Sequence, residues 1–478
     1  MAFSKTKTMK HILIKIAALS FVLVQIIGCK TKEVTPTGDA AVNNWVLANM
    51  QYWYYWNDKI PANTDKNLTP DKYFDSMLYK YDATLRPDGD RFSWINPSAA
   101  DLTASLSGES KSTGAEFQFY RKANTDELGA RILYVFPGTP AAQAGLKRGD
   151  VVAKMAVDGT IITGANYSSV LTSGSEIAFT IGTYDATSGF AATATTKTVK
   201  TLVLQEDPIF MDSVYVRNNK KIGYIVYNQF VKEPNGANNS LYDRKMDGIF
   251  AKFKATGVNE LVLDLRYNPG GYLSSALNLA SLIGRGISSN KLMYRTEYNK
   301  AVTPDITKQY GEKFFVTNFI DKTENLGGNL SRVIILTSKR SASASEMIIN
   351  ALKPYMPVFL IGDVTVGKNV GSITIKDDKN VIKWGMQPIV LKTFNSANQS
   401  EFTAGFKPDM SVVESLAQPM VAFGDLKDPL LNEAFFQILG SRPARRGIVE
   451  PLEIDRQTVY STIESKAGGS NMFVELKK

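Results

Sequence analysis

The spacing of apolar positions changes character twice along the chain. Residues 41–57 place Trp45, Met50, Trp53 and Trp56 among apolar neighbours at helical spacing. A second helix is predicted over 70–80, opened by Thr69-Pro70-Asp71 with Tyr73, Met77 and Leu78 on one face. Residues 110–206 instead show short β-type runs separated by Gly, Pro, Asp and Thr: Glu116–Tyr120, Ala130–Val135, Val151–Val157, Glu176–Ile181 and Lys197–Leu204. A short helix over Ala141–Leu146 and a turn over Lys147–Asp150 interrupt them, and the Thr/Ala-rich stretch 183–198 reads as an exposed hairpin loop.

From 207 to 440 strands alternate with helices. The strands are Ile222–Tyr227, Glu260–Leu265, Arg332–Thr337 and Val358–Ile361; the helices are Tyr242–Thr256, Leu273–Ile283 and Ser343–Lys353. That alternation predicts parallel strand–helix–strand units. The fold class is therefore multidomain α/β. A small helical N-terminal domain (41–105) precedes a β-rich unit (106–206), an α/β core (207–440) and a tail (441–478) to which no structure is assigned.

The start of the chain reads differently. Lys5, Lys7, Lys10 and Lys15 precede an apolar run, Ile16 to Ile27, broken only by Ser20 and Gln25. The run is shorter than the roughly 20 apolar residues of a spanning helix and reads as the core of a secretion signal. It ends in Ile26-Ile27-Gly28-Cys29, which resembles a bacterial lipobox. The expected leader is 1–28, with Cys29 lipidated, residues 29–40 as a tether, and the protein held at a membrane of the bacterial cell envelope.

Composition then narrows the chemistry. The chain's one histidine, His11, lies in the leader, and its one cysteine is Cys29. A mature chain of 478 − 28 = 450 residues has no histidine, which excludes a Ser-His-Asp triad, a Cys-His dyad and His-ligated zinc. No metal and no cofactor is expected. The net charge of +9 falls to +5 without the four leader lysines and forms no long basic block, so no nucleic-acid partner is expected.

One segment concentrates candidate chemistry. Residues 332–374 run strand, RSASASE, helix, strand, GDVTVGKNVGS. A right-handed crossover makes the two strands parallel, so the serine cluster and Lys368 emerge at one sheet edge. If Glu260–Leu265 joins that sheet, Asn268-Pro269-Gly270-Gly271 arrives there too, with glycine N–H groups able to approach a ligand closely. Without histidine, a serine nucleophile needs another base, and a lysine whose pKa burial lowers to roughly 7–8 can serve.

Two plainer readings compete. Ser343-x-x-Glu346 is also an ordinary helix-capping box, with Ser341 and Ser345 as alternative caps. Asp264 and Arg266 can be a structural ion pair. A third reading, a phosphate-binding loop at Gly362–Lys368, fails because Asn369 replaces the required Ser/Thr and residues 371–376 are β-type. No nucleotide is expected.

Taken together, RSASASE, the Lys368 motif, DLRYNPGG at 264–271, GTPAAQAGLKRGDVV at 138–152, DRFSWI at 90–95 and GFKPD at 405–409 resemble the C-terminal processing peptidases. These are PDZ-containing serine proteases with a Ser-Lys dyad. The resemblance implies a PDZ domain over 106–206 and a protease core over 207–440. By position it makes Ser343 the nucleophile and Lys368 the base. The backbone N–H of Ala344 and of Gly270 or Gly271 would be the oxyanion donors. Ser372 stands where many members carry a Gln that supports the base. The PDZ loop that receives substrate carboxylates reads Gly114-Ala115-Glu116-Phe117, with Glu116 bringing a negative charge. The implied partners are protein or peptide substrates, recognised through their C-terminal tails. A non-catalytic peptide-binding lipoprotein on the same scaffold is the alternative.

Overall fold

The computed structural model describes residues 38–122, 125–185, 189–416, 418–443, 458–465 and 472–474. The expected leader, His11, Cys29 and most of the tether lie outside them.

The N-terminal helices α1 (Asp39–Trp53), α2 (Pro70–Ser76) and α3 (Ala99–Leu106) form where the helical spacing predicts the first two. The first two pack onto the core. Val46, Met50, Tyr54, Tyr73 and Phe74 pack in one cluster with Tyr298, Val302, Ile373 and Ile389 of the core. The strand Trp94–Asn96 pairs with Gly385–Gln387, tying the same region down.

The second region is an antiparallel sheet. Its strands are β1 (Ala115–Arg121), β2 (Leu128–Val135), β3 (Val151–Val157), β4 (Glu176–Asp185) and β5 (Gly189–Lys200), paired in that order. Helix α4 (Tyr167–Ser173) closes one face over a core that includes Phe117, Phe119, Ile132, Met155 and Phe179. The described residues of 183–198 are strand rather than loop: β4 and β5 pair into a long hairpin with Tyr184 opposite Phe190 and Gly182 opposite Ala192. Its alternating threonines suit an exposed pleat, which outweighs the small-residue composition that suggested a loop.

The third region is the α/β core. Strands β6 (Ile209–Arg217), β7 (Lys220–Tyr227), β8 (Glu260–Asp264), β9 (Gly271–Tyr272), β10 (Leu292–Tyr298), β11 (Val316–Asn318), β12 (Val333–Thr337), β13 (Val358–Gly362), β14 (Val370–Ser372), β15 (Ile389–Asn395) and β16 (Met410–Ser411) alternate with helices α5 (Leu241–Thr256), α6 (Leu273–Ile283) and α7 (Ala344–Leu352), and α8 (Pro429–Leu439) follows. One sheet runs β6-β7-β8-β12-β13-β16, parallel from β7 onward. Its central strands are near-continuous apolar runs because both faces are covered. Helices α5, α6 and α7 bury one face, and α8 with Tyr134 and Phe136 of the antiparallel unit buries the other.

A second core sheet runs β9-β18-β14-β15-β10-β11, where β18 is Met472–Phe473. A further strand, β17 (Thr458–Ser461), pairs antiparallel with β1. Part of the stretch 441–478, which its sequence left without an element, is thus built into both sheets. Among the described residues no helix is long and apolar enough to cross a membrane.

Candidate active site

Strands β8, β12 and β13 end side by side, so the loops after them meet. Val262 to Asp264 stand in register with Ile334 to Leu336, and Val333 to Thr337 with Val358 to Gly362. This adjacency brings 264–271, 338–346 and 363–369 to one edge.

The three serines of the cluster are all buried but differ in what they touch. Ser341 Oγ donates to Leu265 O (2.7 Å) and Ser345 Oγ to Asn268 O (3.0 Å). These two hydroxyls, with Ala342 N on Asn268 O (3.2 Å), stitch the serine loop to the 264–271 loop. Ser343 Oγ is buried and, among the described residues, makes no hydrogen bond. Ser343 also sits at φ 63°, ψ −112°, a region non-glycine residues rarely enter. It is the N-cap residue of α7, with Ala344 at the first helical position, where backbone N–H groups have no partner within the helix. Of the capping box, the half that is made is Ser343 N–H donating to Glu346 Oε2 (2.8 Å).

Lys368 is wholly buried. Desolvation drives its pKa down to about 7, against the opposing pull of the Asp90 and Glu346 charges. Its Nζ lies 4.8 Å from the centre of the Phe92 ring. The backbone around it is held by Glu346, whose Oε2 accepts from Lys368 N (2.7 Å) and whose Oε1 accepts from Gly367 N (2.6 Å) and Thr365 Oγ1 (2.5 Å). Burial pushes this carboxyl up while the hydrogen bonds oppose that shift. Four donors fill its lone-pair positions and leave no acceptor for a carboxyl proton, so the ionised form fits the site.

Gly270 and Gly271 sit at φ 109° and 136°. A Cβ on Gly271 would lie 2.1 Å from Phe230 O, so only glycine fits. Gly270 N donates to Asn268 Oδ1 (2.9 Å), and Gly271 pairs with Met472. Ser372 is buried, and its hydroxyl donates to Met472 O (3.1 Å), which turns it toward segment 472–474. Asp264 and Arg266 form a buried ion pair (2.7 Å), and Arg266 also reaches Asp428 (2.8 Å) and Glu414 (2.9 Å), which is the structural arrangement.

The 114–117 stretch lies at the start of β1. Gly114 is at φ 87° against the Thr139 side chain, and Ala115 N donates to Thr113 Oγ1 (3.3 Å). Phe117 is core. Glu116 is buried and accepts from the Thr462 hydroxyl (2.5 Å).

Sequence reasoning treated Glu346 only as a cap. It also left Asp90, Arg91 and Phe92 without a role, although their segment was noticed. Arg91 donates to Val366 O (2.9 Å) and Thr403 O (2.9 Å), bracing the lysine loop beside the Phe92 ring. Among the described residues there is no cluster of metal-ligating side chains.

A buried serine on a strained helix N-cap, its loop tied through Glu346 to the loop of a buried, deprotonatable lysine, is an arrangement suited to nucleophilic attack on a carbonyl. The sequence profile of Peptidase family S41 matches residues 221–412, and that of the Peptidase S41 N-terminal domain matches 41–94. The chain belongs to peptidase family S41. It is 26% identical over 314 residues to a probable CtpA-like serine protease of Staphylococcus aureus (strain COL), covering 64% of this chain and 53% of that protein. It is likewise 26% identical over 322 residues to one from Staphylococcus saprophyticus, covering 66% and 56%. The chain thus spans about half the length of the curated relatives it matches. The crystal structure of a putative S41 protease from Bacteroides fragilis superposes with a TM-score of 0.66 at 28% identity, over 83% of this chain and 97% of that one.

Proposed function

We propose that the chain is a serine endopeptidase of the C-terminal processing type. The observation that carries it is the combination of Ser343, strained, buried and with an uncommitted hydroxyl, and Lys368, whose buried amine is about half neutral at pH 7. Lys368 Nζ takes the Ser343 proton as Oγ attacks a peptide carbonyl. The N–H of Ala344 and of Gly270 or Gly271 stabilise the oxyanion. Collapse returns the proton from Lys368 to the leaving amine and leaves an acyl-serine. Water, deprotonated by Lys368, then releases the new carboxylate. No cofactor takes part.

Residues 106–206 act as a PDZ domain that receives substrate tails. The groove between β1 and α4 supports this, since an extended peptide can add there as a strand. Cys29 is the lipid attachment point that holds the enzyme at a membrane of the bacterial envelope. Partition of wild type into a detergent phase, lost in Cys29→Ser, tests this.

Ser343→Ala and Lys368→Ala should each abolish hydrolysis of an unstructured peptide while circular dichroism stays unchanged. Undiminished cleavage by either variant would sink the assignment. A fluorophosphonate that labels wild type at Ser343 separates it from the non-catalytic peptide-binding alternative, which predicts no labelling.

A further inference from the structure

Two short segments near the end of the chain occupy two places built for an extended peptide. The first, β17 with Thr462 and Ile463, lies in the groove of the antiparallel unit. It pairs antiparallel with β1, Thr458 opposite Tyr120 and Ser461 opposite Gln118. Tyr460 packs against Tyr167 of α4 (ring centres 4.6 Å apart) and stacks on Phe119. It therefore sits between strand and helix. Thr462 Oγ1 accepts from Phe117 N (2.9 Å), Gln118 Nε2 donates to Tyr460 O (2.6 Å), and Ile463 is buried.

The second segment, β18, fills a slot one strand wide at the active site. On one side Gly271 and Tyr272 pair with Met472 and Phe473; on the other, Ser372 pairs with Phe473. Ser372 Oγ donates to Met472 O (3.1 Å) and Val474 N donates to Ser372 O (3.0 Å). One wall begins at Gly271, one of the two candidate oxyanion glycines, and the other ends at Ser372, four residues after Lys368. Arg340, three residues before Ser343, contacts the first place: its guanidinium reaches Gln118 on β1, Ser461 Oγ (3.4 Å) and Glu464 (3.6 Å).

We propose that the slot between β9 and β14, together with the β1–α4 groove, is the binding track for an extended polypeptide, and that residues 458–463 and 472–474 occupy it as an internal competitor of substrate. Strand addition along both walls recognises main chain more than side chain, so an apolar segment such as Met472–Val474 and a substrate segment present the same ligand. A tethered competitor has an effective concentration in the millimolar range, enough to hold off a weakly binding substrate. The proposal rests on the peptidase reading for its consequence and on main-chain pairing alone for its binding claim.

The test uses full-length Val474→Pro/Thr462→Val, which removes the N–H given to Ser372 and the hydroxyl between Glu116 and Phe117, and a chain ended after residue 457. Against a fluorogenic peptide these should show KM lower by about tenfold or more with kcat little changed, and a synthetic 458–474 peptide should restore the parental KM by competition. The same substitutions in Ser343→Ala should tighten binding of fluorescent 458–474 peptide by a similar factor, read by anisotropy. Folded variants whose KM and peptide Kd stay within twofold of the parent overturn the proposal. If no form hydrolyses peptide, the peptidase reading fails while the anisotropy comparison still decides this one. If the variants do not fold, hydrogen exchange on the intact Ser343→Ala chain decides. Saturating peptide should speed exchange at 458–465 and 472–474, and unchanged protection with peptide bound overturns the proposal.

Discussion

Ser343 and Lys368, 25 positions apart, donate their backbone N–H groups to the same oxygen, Glu346 Oε2, at 2.8 and 2.7 Å. One carboxylate therefore fixes the distance between the loop carrying the proposed nucleophile and the loop carrying the proposed base. Its other oxygen ties down Gly367 and Thr365 of the lysine loop. Catalysis by a pair of side chains depends on such positioning within fractions of an ångström.

Glu346→Gln tests that role without changing volume. An amide can accept at one oxygen only, so either orientation turns an NH2 toward two buried donors. Each unsatisfied donor costs about 1–3 kcal/mol. The expected result is a kcat fall of about 100-fold or more with a smaller change in KM, together with a lower melting temperature. Asp at this position should not rescue, being one methylene short. A kcat within twofold of wild type would show that the loops hold their register without Glu346.

The pH dependence follows from Lys368, whose pKa is lowered to about 7 by desolvation. The base works as the neutral amine, so kcat/KM should rise with pH through about 7 and then level. Asp90 opposes the downward shift by its charge. Asp90→Asn keeps the acceptor for Phe92 N and Ser93 N (2.8 and 2.9 Å) but removes that charge. The rising limb should then move to lower pH, as a pH–rate profile on one substrate would show. A limb that stays put or moves upward contradicts the electrostatic account.

The same lysine should cost stability. Between about 7 and the unfolded value of 10.5 the unfolded chain holds a proton at this position that the folded chain does not. Stability from this group therefore rises with pH across that window, by up to about 1.4 kcal/mol per unit, and is lowest below pH 7. Lys368→Met removes the term. The variant should melt above wild type at pH 6–7, and the gap should close as pH approaches 10. A gap independent of pH would mean that packing, not protonation, sets the difference.

Much of the core was legible because its physics is local. Val333–Thr337 and Val358–Gly362 are apolar on both faces, which only a covered parallel strand requires, and their crossover dictates that Ser343 and Lys368 share an edge. Choosing among three serines was not legible. Ser341, Ser343 and Ser345 differ in whether Leu265 O, Asn268 O or nothing receives the hydroxyl and in the strained backbone of Ser343, none of which a sequence shows. Glu346 was hidden for a related reason, since a helix cap and a carboxylate that bridges two loops use the same Ser-x-x-Glu spacing. The segments 458–461 and 472–473 gave no usable signal. Strands of four and two residues are set by the partners they meet rather than by their own pattern.

The loop before Asn268 is also braced from the antiparallel unit, which yields a last prediction. Arg148, in the turn before β3, donates to Leu133 O (2.6 Å) and Tyr267 OH (2.9 Å) and pairs with Glu414, which Arg266 (2.9 Å) and Tyr267 also reach. Burial alone would raise the Glu414 carboxyl, but the two guanidinium charges overcome that and hold it at about 2. Because its folded pKa lies below the unfolded value of 4.5, its contribution is complete above about 4.5 and lost as pH falls toward 2. Arg148→Met leaves the carboxylate with Arg266 as its one guanidinium partner beside the Tyr267 hydroxyl, and breaking one partner of a buried network costs about 3–5 kcal/mol. Acid unfolding followed by circular dichroism should therefore begin at higher pH in Arg148→Met than in wild type. Tyr267 adjoins Asn268, which carries Ala342, Ser345 and Gly270, so kcat should fall as well, even at neutral pH. An unchanged acid midpoint with unchanged kcat would show that the antiparallel unit and the serine edge are energetically independent.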